Sequence, residues 1–229
     1  MMRSFGNRCC IFGLLGIVLF SSGCNLAALC YFLVPGMDST FEPPCKLVGA
    51  DKDKEVRVVF LVSTGLETRP EFIRVDRELS RLVNAQLTEA FKKNKEKVML
   101  VPVSLVEKYK DEHPNWRSTP PDEIGKYFNA DKVVSLEVDS LSLYEKGSSN
   151  MLYHGVAEVS ISVIDMSKAA DGPVYNDEYR TEFPKTRGHI PASDSSVSAF
   201  RQKFLSIVAR DLAWKFTAHP TEDAFKMQD

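Results

Sequence analysis

Cysteine is missing from most of this chain. All five cysteines lie within the first 45 of its 229 residues, and none follows Cys45. The body of the chain therefore needs no disulfide bond, and it offers neither a thiol nucleophile nor a thiolate zinc site.

Motifs that carry chemistry are also missing. The sequence has no Gly-x-Ser-x-Gly, no Gly-x-Gly-x-x-Gly and no His-Glu-x-x-His. Its four histidines (His113, His154, His189 and His219) fall in different predicted elements without metal-ligand spacing. We therefore predict no catalytic residue, no metal and no cofactor, and keep a periplasmic enzyme as the alternative.

The chain also lacks a large excess of positive or negative charge. The formal net charge is −2, and charged residues of both signs make up 26% of the chain. A protein that binds nucleic acid usually carries a basic footprint, so nucleic acid is not expected as a partner.

A long apolar run opens the chain. Residues from Ile11 to Val34 carry no charge, and Arg3 and Arg8 precede them. A basic start, a ten-residue apolar segment and small residues before Cys24 form the pattern of a secretory signal peptide. The stretch Leu19–Cys24 resembles a bacterial lipoprotein signal. That resemblance implies cleavage before Cys24, which becomes the first residue, and acyl chains, palmitate among them, on Cys24.

Two other interpretations of this run stay open. It is long enough to cross a hydrocarbon core of about 30 Å as one uncleaved helix. An ordinary signal peptidase would instead release a secreted protein with Cys24 unmodified. In each case the two arginines remain in the cytoplasm, so the body faces the periplasm or the exterior.

The domain boundaries follow from composition. We predict a signal peptide at 1–23, a lipidated tether or linker at 24–54, a globular domain at 55–217 and a polar tail at 218–229. Cys30 and Cys45 would remain in an oxidising compartment, either as a disulfide pair or as two unpaired thiols.

Hydrophobic periodicity divides the domain into elements. Strands are predicted at Val56–Ser63, Lys97–Val103, Val133–Glu145, Leu152–Asp165 and Val174–Phe183. Helices are predicted from Phe72 to Phe91, at Ser104–His113, at Asp122–Phe128, and from a cap at Ser193 or Asp194 to Phe216.

Local signals refine this order. A phase shift predicts a β-bulge at Asp139–Ser140, 147–150 reads as a hairpin turn, and Pro184–Pro191 reads as a loop. The polar strand Val174–Phe183 is predicted to lie at a sheet edge. The order β-α-β-α-β-β-β-α predicts a single layered α+β domain, a five-stranded mixed sheet with two long helices on one face.

Element order and two short motifs add a family resemblance. The lipoprotein-like start, the buried first strand and the long helix resemble a group of envelope lipoproteins, as do the entry into the third strand at Asn129–Val134 and the hairpin centred on Val163–Asp165. The group comprises curli-secretion-type lipoproteins, the amino-terminal domain of the Tol translocation protein and lipoprotein activators of penicillin-binding proteins. The resemblance implies a fold similar to the anticodon-binding domain, and it carries no catalytic residue.

The function predicted from these observations is non-catalytic. We expect a membrane-tethered periplasmic lipoprotein that acts as a binding or assembly module, with an envelope protein or a second copy of itself as partner. Aromatic residues at loop tips often anchor such contacts. The candidate contacts are Trp116, Tyr144, Tyr153 and, on the predicted edge strand, Glu178.

The lipoprotein signal yields the first testable prediction. The membrane-extracted protein should begin at Cys24 and carry the added mass of acyl chains, because the signal peptide is removed before that residue. Intact-mass spectrometry measures both features. A chain that still begins at Met1 or Met2 would contradict the prediction.

Overall fold

The central strand is buried on both sides. The computed structural model describes residues 40–49, 51, 54–65, 72–185 and 188–220. Strand β2 (Val56–Thr64) places Val58 and Phe60 in one core, and Val59 and Leu61 in a second core on the opposite face. This confirms the sequence interpretation of a continuous apolar run as a strand covered from both faces.

The sheet is mixed, as predicted. Besides β2, the strands are β1 (Thr40–Phe41), β3 (Val98–Leu100), β4 (Lys132–Tyr144), β5 (Leu152–Asp165), β6 (Tyr175–Phe183), β7 (Ile190–Pro191) and β8 (His219–Pro220). The order in the sheet is β3-β2-β4-β5-β6, with the short β7 beside β5. Strand β2 pairs in parallel with β3 and β4, whereas β4–β5 and β5–β6 are antiparallel.

The two long helices lie side by side on one face, as predicted. They are α1 (Val75–Asn94) and α4 (Val197–Trp214). Near their starts, the Arg201 guanidinium is 2.7 Å from the Glu78 carboxylate. At the other end, Asn94 Nδ2 donates to Thr217 Oγ1 over 2.8 Å. The helices therefore run parallel, and their apolar stripes bury the main core against the sheet.

Shorter helices cover part of the opposite face. They are α2 (Val103–Glu112), a 3₁₀ turn at Trp116–Ser118 and α3 (Pro121–Tyr127). A second core lies beneath them: Val59, Leu61, Val101, Val106, Tyr109, Trp116, Ile124, Phe128, Ala130 and Val133. The α2 helix begins at Val103, directly after Pro102, and this leaves β3 shorter than the predicted strand.

Three local predictions have different outcomes. The register of β4 against β5 shifts between Val138 and Ser140, which confirms the bulge. The loop prediction is wrong at its end, because Ile190–Pro191 pairs with β5. The cap prediction is also wrong, because the Ser196 hydroxyl accepts the Ala199 N–H at the start of α4. Asp194 instead closes a turn by donating its N–H to the Pro191 carbonyl.

Part of the predicted tether packs on the domain. Leu47 is fully buried, the Cys45 N–H donates to the Lys215 carbonyl over 3.1 Å, and Lys132 Nζ donates to the Lys46 carbonyl. Strand β1 pairs with β8 beyond the end of α4. Residues 40–49 thus contact the domain near the carboxyl ends of both long helices.

The predicted signal peptide and the chain from residue 221 onward lie outside the described residues. Among the described helices, none combines the length and the apolar character required to cross a bilayer.

One close contact gives a stability prediction. A Cβ added at Gly155 on β5 would lie 2.6 Å from the Phe204 ring of α4, so Gly155→Ala forces this helix away from the sheet. We expect the free energy of unfolding to fall by about 2 kcal/mol, as for overpacked cores. Urea denaturation measures the change.

Gly65→Ala is the matched control. The nearest atoms to an added Cβ there lie at 3.8 and 3.9 Å, an ordinary contact distance. Its unfolding free energy should change by less than about 0.5 kcal/mol. Equal urea midpoints for the two variants would contradict the tight packing at Gly155.

Candidate functional site

A concave surface lies on the half of the sheet that the short helices leave uncovered. Its cavity has a volume of about 710 Å³. The short helical layer packs over β2 and the start of β4, whereas polar side chains of β5 and β6 remain partly or fully exposed beside it. The cavity therefore has a sheet floor and a helical wall.

Strand register builds the floor from two rows. Side chains on one face alternate along each strand, so paired residues on neighbouring strands stand side by side. The first row consists of Ser63, Glu137, Ser160 and Glu178. The second row consists of Leu61, Ser135, Ser162 and Asn176. All eight residues line the cavity, which makes its floor mostly polar.

The floor carries an excess of negative charge. Glu137 and Glu178 flank Ser160 in one row, at about 10 Å from each other by strand spacing. Among the described residues, neither carboxylate has an ion-pair partner. Further along the same face, the Arg180 guanidinium pairs with both Glu158 and Glu182. Glu137 and Glu178 outnumber Arg117, the cationic residue that lines the same cavity, so cationic groups are favoured there.

The β-bulge adds a third acid. Asp139 is the extra residue of β4, and its Oδ2 accepts a hydrogen bond of 2.8 Å from the Ser160 hydroxyl. Ser160 thus donates toward a carboxylate. Among the described residues that line the cavity there is no histidine or cysteine. The side chains of this cavity can bind a ligand through hydrogen bonds and through the charge of their carboxylates.

The wall is held by a buried ion pair. Lys110 Nζ donates to the Val62 carbonyl and to Glu107 Oε1, each over 2.9 Å, and lies 4.8 Å from the centre of the Trp116 ring. Arg77 Nε approaches Glu107 Oε2 at 3.0 Å. The lysine side chain is only 4% exposed. This network ties the helical layer to the end of β2 and fixes the indole at the cavity rim.

Two predicted contact residues come together here. Trp116 and Glu178 are 62 positions apart in sequence, and both line the cavity. Glu178 is exposed, whereas Trp116 is 8% exposed and serves as part of the wall. Their contact with a partner stays a prediction.

The other two predicted contacts lie elsewhere. The Tyr144 and Tyr153 rings are 5.3 Å apart, and Tyr153 stacks on Phe200 at 4.7 Å. Tyr153 is 4% exposed and belongs to the main core, and Tyr144 packs against that core. Their burial favours a structural role, and the proposed contact role stays a prediction.

Of the cysteines with predicted roles, only one is described. Cys24 and Cys30 lie outside the described residues, so lipidation and the Cys30–Cys45 pairing stay predictions. The Cys45 side chain packs against the main core. Burial raises the pKa of its thiol, and the Lys132 ammonium opposes that shift.

The edge strand is as polar as predicted. In the described sheet β6 pairs only with β5. The Lys215 ammonium, 2.7 Å from Asp177, lowers the pKa of that carboxyl, to which the Tyr175 hydroxyl also donates. Charges of this kind discourage strand addition at an edge.

A second cluster was not anticipated from the sequence. Glu145, His154 and His189 bring one carboxylate and two imidazoles together, with ligand atoms all within 4.8 Å of one another. These residues come from separate segments, and the pairing of β7 with β5 brings them together. Sequence spacing alone contains no signal for that contact.

Comparison with known proteins finds similarity to solved structures. No family model and no curated protein matches the chain. Lipoprotein GNA1162 from Neisseria meningitidis is 11% identical, with coverage of 70% of this chain and 99% of that one, at a TM-score of 0.43. A PelC dodecamer from Paraburkholderia phytofirmans is 14% identical, with coverage of 79% and 97%, also at 0.43. A minor lipoprotein from Acinetobacter baumannii is 10% identical, with coverage of 70% and 86%, at 0.30.

Bacterial lipoproteins are thus among the solved structures that this chain partly resembles. The specific resemblance to curli-secretion-type, Tol and activator proteins stays a prediction.

The buried ion pair yields a stability prediction. Lys110→Met leaves Glu107 without its nearest partner and the Val62 carbonyl without a donor. We expect the free energy of unfolding to fall by about 2 kcal/mol, because the buried Val62 carbonyl loses its donor and the Glu107 carboxylate keeps only Arg77 beside it. The double variant Lys110→Met/Glu107→Leu should recover most of the loss. Urea denaturation of Lys110→Met, Glu107→Leu and the double variant measures this coupling.

Lys108→Met on the same helix is the control. Lys108 lies 3.7 Å from Glu112 at the surface, with its side chain 70% exposed. Its replacement should change the unfolding free energy by less than about 1 kcal/mol. A Lys110→Met protein as stable as this control would contradict the structural role of the buried pair.

Proposed function

We propose that this protein is a membrane-tethered periplasmic lipoprotein whose domain is a non-catalytic binding module of the cell envelope. Its ligand is a cationic segment of an envelope protein, held in the cavity between the sheet and the Trp116 turn. The observation that carries this proposal is the first polar row of the floor, in which Glu137 and Glu178 flank Ser160 without an ion-pair partner among the described residues.

The shape of the cavity favours a segment of chain. The floor residues Ser135, Ser160, Ser162 and Asn176 have short side chains, so the sheet backbone lies close beneath a bound ligand. Hydroxyl and amide groups both donate and accept hydrogen bonds, which suits the mixed polarity of a peptide. The two glutamates then select lysine or arginine side chains, because charge complementarity fixes register and discriminates against acidic competitors.

The cavity is a better binding surface than the β6 edge. On that strand, Asp177 is paired with Lys215, and Arg180 with Glu158 and Glu182. A chain that added to this edge would lie beside charged side chains, on both faces of β6, that are already paired. Binding in the cavity needs no such rearrangement.

Tethering explains why a modest interface is sufficient. Cys24 precedes the first described residue by 16 positions. Several acyl chains on this cysteine would hold the domain at the membrane surface. Confinement there raises the effective concentration of the domain for a neighbouring envelope protein.

In-cell photocrosslinking tests this proposal. A benzophenone amino acid at Asn176, which lines the cavity, should capture an envelope protein through a lysine- or arginine-rich segment. The same probe at Glu89, exposed on α1, is the positional control and should not capture it. Mass spectrometry identifies the crosslinked peptide.

Charge removal makes the test specific. In the Asn176 probe background, Glu137→Gln/Glu178→Gln should reduce capture about tenfold, which corresponds to about 1.4 kcal/mol. The matched double variant Glu89→Gln/Glu112→Gln removes two exposed acids elsewhere and should leave capture unchanged. Capture of an acidic or apolar segment, or equal capture in both double variants, would contradict the proposal.

A further inference from the structure

A group of metal-ligand side chains lies at the hairpin end of the sheet, apart from the cavity. Glu145 follows the end of β4, His154 is on β5, and His189 directly precedes β7. Glu145 Oε2 is 2.8 Å from His154 Nδ1 and 3.6 Å from His189 Nδ1. Three potential ligands thus face one point.

These separations suit a small four-coordinate ion. Zinc binds nitrogen and carboxylate oxygen at about 2.0–2.2 Å, so tetrahedral ligands stand about 3.4 Å from one another. The two measured separations fall on either side of that value. Small side-chain rotations are enough to place all three atoms on one ion. Imidazole and carboxylate ligands together favour zinc over magnesium or calcium.

The backbone holds these ligands in place. The Glu145 N–H donates to the Leu152 carbonyl over 3.0 Å, which closes the β4–β5 hairpin. Ile190, next to His189, pairs with Tyr153, next to His154. The two imidazoles therefore come from adjacent positions on neighbouring strands, and their ring centres lie 5.2 Å apart.

A fourth residue supports the first three. Glu182 Oε2 on β6 lies 3.6 Å from His154 Nε2, the ring nitrogen that remains when Nδ1 binds a metal. Histidine ligands usually donate their second N–H to a carboxylate, which orients the ring and raises its basicity. Glu182, which also pairs with Arg180, lies just beyond hydrogen-bond distance, and a small rotation would bring it to that supporting position.

We propose that Glu145, His154 and His189 form a mononuclear site for a zinc-class divalent ion, with Glu182 as the positioning residue behind His154. Three protein ligands leave the fourth coordination position to water. The ion fastens the segment 188–191 to the β4–β5 hairpin. His189 is exposed, and this gives the ion a path from solvent.

Zinc titration of the full-length chain tests the site. The protein is solubilised in detergent, carries no histidine tag, and has its cysteines alkylated after reduction, since thiols near the amino terminus also bind zinc. Calorimetry should detect one Zn²⁺ per chain with a micromolar or lower dissociation constant. Hydrogen exchange at residues 188–191 should slow when zinc is added.

Variants separate this site from other zinc binding. The double variant His154→Gln/His189→Gln should weaken binding at least 100-fold, and Glu182→Gln about 10- to 100-fold. His113→Gln, at the carboxyl end of α2, is the matched control and should bind zinc as the original chain does. Unfolding temperature without zinc shows whether each variant is folded.

Cobalt provides an independent readout. Co²⁺ bound to the original chain should give the intense visible absorption of four-coordinate cobalt, and the double variant should not. Equal zinc affinity in the original chain and the folded double variant would overturn the proposal. So would the absence of a saturable site in the original chain below about 1 mM, a limit that corresponds to about −4 kcal/mol of binding.

Discussion

Parallel pairing between β2 and β4 sets the position of almost every other group. Seven register pairs, from Val58 with Lys132 to Thr64 with Val138, align the two strands. A slip of one residue would turn Phe60 from the main core to the opposite face and reverse each side chain that follows. The same slip would move the residues of both polar rows of the cavity floor out of alignment. The core and the candidate site therefore depend on one alignment.

The uncovered half of the sheet follows from connectivity. The chain passes from β2 to β3 through α1, and from β3 to β4 through α2 and α3. These two crossovers step in opposite directions across β2, so a right-handed connection places their helices on opposite faces. Strands β4, β5 and β6 are joined by turns without a crossover helix. Beyond the start of β4 and the end of β5, which the short helices cover, their second face consequently has no cover, and the cavity occupies the boundary.

The sequence predicts what local periodicity encodes. Alternation in Leu152–Asp165 gives the strand with the bounds that the structure has, and the phase change at Asp139 gives the bulge. Pairings between distant segments produce no periodic pattern in the sequence. Neither the approach of His189 to His154 nor the row that joins Glu137 to Glu178 is visible in spacing, because each depends on strand order and register. Loop context singles out Trp116, but its burial in the second core, with the Lys110 ammonium over its ring, depends on tertiary packing.

The amino-terminal segment has a mechanical consequence. In a tethered protein, tension from the anchor enters the domain at Thr40 and reaches the β1–β8 pair first. That pair has only two residues in each strand, so little force is needed to separate it. The Cys45–Lys215 hydrogen bond and the buried Leu47 side chain resist next. The rest of the main core, to which Leu47 belongs, is loaded only after these contacts break. Residues 40–49 would thus detach and extend before the sheet is disturbed. The strand register of the cavity floor would be unchanged at low force.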